Sequence, residues 1–251
     1  MIETQDYENE RKRLGASFGK VARDYARSRP TYSDIAILDE LFNAKDVLEL
    51  GAGTGLFSRL IHNRDTTSYF ASDLSSEMLL ANAEVLSSNK VAAVAEALPF
   101  SDASFDTVAA AQAAHWFDLA SAPREIRRIM RNGGTLVIIW NHRDSSHRWV
   151  QDFDRVVDSY QNRIVTDQIL KGFEESSLFT KFHRHSLPLL HSIDEAQAKQ
   201  LINSFSPVST LPELQRTEVI ERALEILRKA HPGSSQFEIP YTTNYFLAQA
   251  K

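Results

Sequence analysis

Three glycines at alternate positions, Gly51, Gly53 and Gly55, follow directly on a short apolar run, Val47–Leu50, and precede a stretch with helical spacing, Leu56–His62. Glycine adopts positive φ at no steric cost and lets a ligand come close to the backbone. A strand that ends in such a loop and turns into a helix opens a βαβ unit, and open α/β sheets bind nucleotides at the carboxyl ends of their strands. A turn with no ligand would carry the entropy of three glycines without a packing return. The dinucleotide pattern G-x-G-x-x-G would need glycine where Leu56 stands, so the spacing here is G-x-G-x-G. Glu49 lies two positions before the first glycine. An acid there repels a pyrophosphate and attracts an ammonium or sulfonium, which disfavours a nicotinamide oxidoreductase.

Residues on either side extend the pattern. Leu14, Phe18, Val21, Ala22 and Tyr25 share helical spacing, predicting an amphipathic helix over 5–28 that Arg29-Pro30 ends. A short helix is expected over Ser33–Phe42. Strands are expected at Thr67–Ser72, Val91–Ala95, Asp106–Ala111 and Thr135–Asn141. Between them lie helices at Ser75–Leu86, with Ser75 as N-cap, and at Ala120–Met130, stopped by Asn132-Gly133-Gly134. Asp73, 18 residues after Gly55, stands where the acid of a nucleotide-binding βαβ unit meets ribose hydroxyls; the plainer role is a helix cap. Strands alternating with helices imply a largely parallel sheet with covered faces.

Beyond Asn141 the pattern loosens. Residues 148–175 read as mainly helical, Lys181–Leu190 as a strand, Asp194–Phe205 and Pro212–Ala230 as helices, and Phe237–Ala248 as a closing strand. The fold expected is α/β: a doubly wound, Rossmann-like, mostly parallel seven-stranded sheet with an antiparallel edge strand and a helical lid. Residues 1–43 form an N-terminal helical lid segment, 44–147 the core, and 148–251 helical cap insertions with the two final core strands. Trp149, Phe153, Tyr160 and Phe173 are candidates for apolar pocket surface in the lid.

Composition narrows the chemistry. The chain has no cysteine, which removes disulfides, thiolate metal sites and Cys nucleophiles. Its net charge of −5 gives no global reason to seek nucleic acid or anionic lipid. The charged first residues lack the apolar core of a secretory signal, and no apolar run is long enough to cross a bilayer. A soluble, cytoplasmic protein is expected, and a homo-oligomer is compatible with the sequence.

VLELGAGTGLFS, then ASDLSSEML, AEALPFSDASFDTVAAAQAAHWF and EIRRIMRNGGTLVIIWN resemble, in that order, a class I S-adenosylmethionine-dependent methyltransferase of the type 11, small-molecule group. The resemblance runs over Val47–Asn141, and FGKVARDYARSRPTY is similar to that group's N-terminal helix. It implies S-adenosylmethionine as cofactor and a small-molecule acceptor. By the same resemblance, Glu49 holds the methionine ammonium, and Gly51, Ala52, Gly53, Thr54 and Gly55 pass under the cofactor. Asp73 takes the ribose hydroxyls, Leu74 and Met78 lie against adenine, and Glu96, Ala97 and Leu98 stand near its amino group. Gln112 lies near the methionine part, and Tyr25 and Arg29 close over it.

Methyl transfer requires alignment, exclusion of water and, for a hydroxyl or acidic C–H acceptor, removal of a proton. His115 is the candidate base, with a pocket wall as its other role. Asn141 and His142 are candidates for orienting the acceptor. Arg124, Arg127, Arg128 and Arg131 read as a solvated helix face, and His183 and His185 as surface strand rather than a metal site. The alternative function is an S-adenosylmethionine-binding protein on the same scaffold that transfers no methyl group, such as a sensor.

Overall fold

The structure, a computed structural model, describes residues 28–43, 45–62, 64–84, 89–157 and 166–251. The expected helix over 5–28 lies outside these residues except for Ser28. The elements run α1 (Ile37–Phe42), β1 (Asp46–Leu50), α2 (Ser58–His62), β2 (Ser68–Asp73), α3 (Ser76–Ala81), β3 (Lys90–Ala92) and β4 (Phe105–Ala111). A single 3-10 turn, Ala114–Trp116, leads to α4 (Ala122–Ile129) and β5 (Met130–Arg143). Then come α5 (Arg148–Val157), α6 (Thr166–Glu175), β6 (His183–Asp194), α7 (Glu195–Asn203), α8 (Ser206–Ser209), α9 (Glu213–Ala230) and β7 (Gln236–Gln249).

The seven strands form one sheet in the order β3-β2-β1-β4-β5-β7-β6. Pairs from β3 through β5 are parallel, while β7 runs antiparallel to both β5 and β6. This is the expected Rossmann-like sheet. The chain moves outward from β1 to β3 and then returns to β4. The carboxyl ends of β1 and β4 therefore flank the switch point where such sheets open a crevice.

Both faces are covered, as continuous apolar strands require. Leu48, Leu50, Val108, Ala110, Leu136 and Ile138 pack on Ile126 and Ile129 of α4 and Ile169 and Phe173 of α6. Val47, Ala109, Val137 and Ile139 pack on Leu38 and Phe42 of α1, on Phe57 and on Ile61 of α2. Pairing of β5 with β7 ends at Arg143 and Tyr241, but β6 stays paired with β7 out to Asp194 and Gln236. The two strands thus leave the sheet as a ribbon. Its Ile193, Phe237, Ile239 and Tyr241 join Phe153, Leu201, Ile202, Val208, Val219, Leu224 and Leu227 in a second core, the cap.

Several boundaries differ from expectation, as where β3 is Lys90–Ala92 and β6 runs on to Asp194, and two of the differences have clear local reasons. The helix before β5 ends at extended Met130 (φ −88°, ψ 140°), not at Asn132-Gly133-Gly134. Met130 pairs with Phe105, so the glycines lie inside a strand where its register shifts. A Cβ on Gly134 would sit 2.8 Å from the Asp106 carbonyl oxygen. The helix begun by Ser75 stops at Asn82 because the Asn82 side chain turns inward to Ser58. No helix among the described residues is long and apolar enough to cross a membrane.

Candidate active site

A cleft enclosing about 1110 Å³, part of it open to solvent, lies at the carboxyl ends of β1, β2 and β4. Gly51, Ala52, Gly53 and Thr54 form its floor. Gly51 (φ 65°) and Gly53 (φ 55°) occupy the left-handed region. A Cβ on Gly51 would lie 2.4 Å from that of Ala113, so glycine lets the loops after β1 and β4 touch. On Gly53 the added carbon would face Met78 Cε at 3.6 Å and fill space inside the cleft. Gly55 lies outside the wall, packed on the Asn82 side chain.

Asp73 ends β2 and fixes this loop. Its Oδ2 accepts from the Gly53 amide at 2.9 Å and its Oδ1 from the Ser75 amide at 2.8 Å. The cap of α3 is Ser75, whose Oγ accepts from the Met78 amide at 3.3 Å, so Asp73 is left to line the cleft. Burial raises the Asp73 pKa against the opposing effect of those amide donors. Glu49 is 1% exposed and also lines the cleft. Its Oε2 accepts from Ser58 Oγ at 2.6 Å and from the Tyr69 hydroxyl. Burial pushes its pKa up to about 7, opposed by the two hydroxyl donors and aided by the nearby Asp73 charge. Thr54, 4% exposed, carries a buried Oγ1 with no hydrogen-bond partner among the described residues.

On the opposite side stand Leu74, 53% exposed, Met78, Ala95 and Glu96. Glu96 Oε1 accepts from the Asp118 amide at 2.6 Å. Ala97 and Leu98 stay out of the wall: Ala97 is exposed, and Leu98 is in the sheet core with its amide donating to Glu125 at 2.7 Å. Gln112 lines the cleft with φ 55°, a left-handed conformation rarely kept by a non-glycine residue. Its amide donates to the Ile139 carbonyl at 2.9 Å and its Nε2 to the Asn141 carbonyl at 3.2 Å, which hold it there.

His115 is not among the lining residues; Trp116 and Phe117 are. The imidazole lies 4.8 Å from the Trp116 ring, centroid to centroid. Burial first, then the Arg29 cation, lower its pKa to about 4. Arg29 itself reaches the cap. Its Nε donates to Ser204 Oγ at 2.9 Å and its Nη2 to the Ser204 carbonyl at 2.8 Å, with the guanidinium 4.7 Å above the Phe205 ring. Asn141 bonds the Thr31 carbonyl at 2.6 Å and accepts from Thr243 at 2.6 Å, joining the N-terminal segment to β7. His142 meets Thr166 at 3.2 Å and Asn244 at 2.9 Å. Tyr25 and Tyr160 lie outside the described residues.

Other expectations need correction. Phe153 and Phe173 are sealed in the two cores, and Trp149 packs at the edge of the cap against His231. The arginine face is only partly solvated: Arg124 is exposed, while the other three are engaged. Arg128 pairs with Glu125 and Asp102, Arg131 with Asp46 and Asp106, and Arg127 donates to the Lys251 carbonyl. Tyr32, Phe57, Trp116 and Phe117 were not assigned to the wall from sequence. Apolar residues beside the two loops were the only available signal, and core residues give the same one.

A family model described as "Methyltransferase domain" matches residues 48–138. An uncharacterized methyltransferase of Mycobacterium tuberculosis is 32% identical over 244 residues, covering 93% of this chain and 95% of that protein. The chain belongs to the class I S-adenosylmethionine-dependent methyltransferases. A malonyl-acyl-carrier-protein O-methyltransferase of Dechloromonas aromatica matches over 134 residues at 30% identity, covering 49% of this methyltransferase and 50% of that protein. A putative type II methyltransferase of Anaeromyxobacter dehalogenans shares the fold with a TM-score of 0.63 at 20% identity, covering 89% of this chain and 97% of that one. The family match spans β1 to Ile138 in β5 and takes in the whole glycine loop, whereas the cap lies beyond it.

Proposed function

We propose that the cleft binds S-adenosylmethionine and presents its methyl group to a small-molecule acceptor. The observation that carries this reading is one continuous wall: glycine floor, Asp73 at the end of β2, and a buried Thr54 hydroxyl that lacks a partner among the described residues. A buried polar group without a hydrogen bond is costly, and a polar ligand relieves that cost. Bound S-adenosylmethionine supplies an activated methyl group on a sulfonium.

The chain's own residues bind and orient. Gly51, Ala52 and Gly53 lie under the ligand. Asp73 has lone pairs left after its two amide donors, enough for ribose hydroxyls. Leu74 and Met78 cover the adenine, with Glu96 near its amino group. Glu49 takes the ammonium and Gln112 flanks the methionine part. Residues 44–147 act as the cofactor-binding core, completed by the two final strands of 148–251, and 1–43 with the helical insertions of 148–251 act as the acceptor-side cover.

The acceptor end offers Tyr32, Phe57, Trp116 and Phe117, and no histidine, lysine or arginine among the described lining residues. Such a wall suits an acceptor atom that needs no proton removed. The similarity to a malonyl-acyl-carrier-protein O-methyltransferase makes carboxylates the first acceptors to screen. In this reading His115 supports Trp116, and Asn141 secures the cover through Thr31.

Calorimetric titration with S-adenosylmethionine, S-adenosylhomocysteine and NADH tests the proposal. Both sulfur compounds bind, and Asp73→Ala weakens both by about a hundredfold, the worth of hydrogen bonds to a charged group. Tight NADH binding with no response to either sulfur compound would overturn it.

A further inference from the structure

Glu49 is held by a buried relay that no ligand-contact reading uses. Tyr69, Ala71 and Asp73 alternate onto one face of β2, and Ala71 is the partner of Glu49 on β1. The Tyr69 hydroxyl thereby reaches Glu49 from the side, and Ser58 on α2 reaches it from below. Asn82 Nδ2 donates to Ser58 Oγ at 3.0 Å, which leaves the Ser58 proton for the carboxylate. Glu49, Ser58 and Asn82 are all buried. Both donors fall on Oε2, while Glu49 as a residue lines the cleft.

We propose that Tyr69 and Ser58 are positioning residues for cofactor binding: they anchor Glu49 through Oε2 so that Oε1 meets the ammonium of the methionine part. The inference rests on reading the cleft as the S-adenosylmethionine site. The groups facing Glu49 are the neutral hydroxyls of Ser58 on α2 and Tyr69 on β2, and the anion Asp73 at the end of β2. Lys90 on β3 donates instead to the Asn82 carbonyl. A buried carboxylate served by hydroxyls and an adjacent anion gains most from a cation that arrives with the ligand. The Tyr69 hydroxyl is itself pushed well above its ordinary pKa, so it stays a donor throughout.

Two nucleosides separate this role from simple packing. S-adenosylhomocysteine carries the ammonium; 5′-methylthioadenosine keeps the adenosine and sulfur but lacks it. Both meet Asp73 through the ribose, so the ratio of their affinities reports the amino-acid end, ammonium and carboxylate together, and the pH dependence of that ratio isolates Glu49. The full chain is titrated with each between about pH 5.5 and 8.5. In the wild type the ratio rises about tenfold per pH unit below about pH 7 and then levels, because the ammonium favours ionised Glu49. Tyr69→Phe keeps the ring, moves the break upward by about one unit and weakens S-adenosylhomocysteine about tenfold at neutral pH. It leaves 5′-methylthioadenosine unchanged. Ser58→Ala moves the break in the same direction, and Glu49→Gln removes it.

A break that stays in place in Tyr69→Phe, or equal weakening of both nucleosides, would refute the positioning role while leaving the cofactor site intact. A wild type that binds neither nucleoside would remove the cofactor reading and this inference together.

Discussion

The sheet joins two halves built to different lengths. Strands β1 to β4 have 5, 6, 3 and 7 residues, whereas β5, β6 and β7 have 14, 12 and 14. The short parallel strands stop together, and the loops beyond them enclose a cleft with the buried acid Glu49, the half-buried Asp73 and a hydroxyl unpartnered among the described residues. The long antiparallel strands continue past the sheet, and the core above them is apolar packing. Short strands leave polar groups for a ligand to satisfy; long strands carry a second core to stand beside that ligand. A linker-free ribbon makes the cap an extension of the sheet rather than an appended body.

Truncation in the cap core tests that continuity with the largest effect. Phe153 is fully buried, with its ring centroid 6.5 Å from that of Phe205. Phe153→Ala should lower stability by about 3–5 kcal/mol in urea unfolding. If the ribbon couples the two halves, fluorescence and circular dichroism report one coincident transition. Two separated transitions would break the comparison and make the cap an independent folding unit.

A pH series sharpens it at the cleft, where Glu49 and His115 pull in opposite directions. Glu49 has its carboxyl raised from 4.5 to about 7. Between those values the folded state holds a proton that the unfolded chain has lost. Stability therefore falls as pH rises through that window, by at most about 3 kcal/mol, and is level above it. His115 is lowered from 6.5 to about 4, so the folded state loses a proton that the unfolded chain keeps. Its contribution falls as pH drops through 6.5 toward 4. The windows overlap and the slopes oppose, so these two contributions should nearly cancel between about pH 4.5 and 6.5 in the ligand-free protein. Glu49→Gln should then lose stability toward acid, and His115→Gln should lose it toward neutral pH. Urea midpoints that follow the wild type in both variants would contradict these assignments.

Much of the parallel half was legible because its rules are local. Glycine at alternate positions, Glu49 two residues before them and Asp73 at a strand end fix a loop with few other solutions. Ser75 as N-cap and Asp194 at the start of α7 follow from the same short-range chemistry. The wall opposite was not legible. Trp116 and Phe117 line the cleft while Phe153 and Phe173 do not, yet all four are aromatic residues in amphipathic surroundings. Only the tertiary packing decides which are sealed, Phe173 by α6 on the sheet and Phe153 by the cap on the ribbon. Arg29 shows the same limit: its partner Ser204 is 175 residues away, beyond the reach of any spacing rule.

That contact also carries the smallest effect. Ser204 is buried, donates its hydroxyl to the Leu201 carbonyl at 2.6 Å and receives Arg29 Nε at 2.9 Å. Removing the hydroxyl leaves Arg29 its bond to the Ser204 carbonyl and its place over Phe205. Ser204→Ala should therefore cost only about 1–2 kcal/mol, the net worth of the two hydrogen bonds its hydroxyl makes. Arg29→Ala removes both bonds and the ring contact, and should cost more than Ser204→Ala. Because Arg29 ties the segment beside the cleft to the cap, its loss should also speed release of S-adenosylhomocysteine in stopped-flow experiments. Ser204→Ala should leave that rate close to wild type. Equal release rates in all three proteins would mean that the segment at Arg29 covers no part of the ligand's path, and that the two halves meet through the ribbon alone.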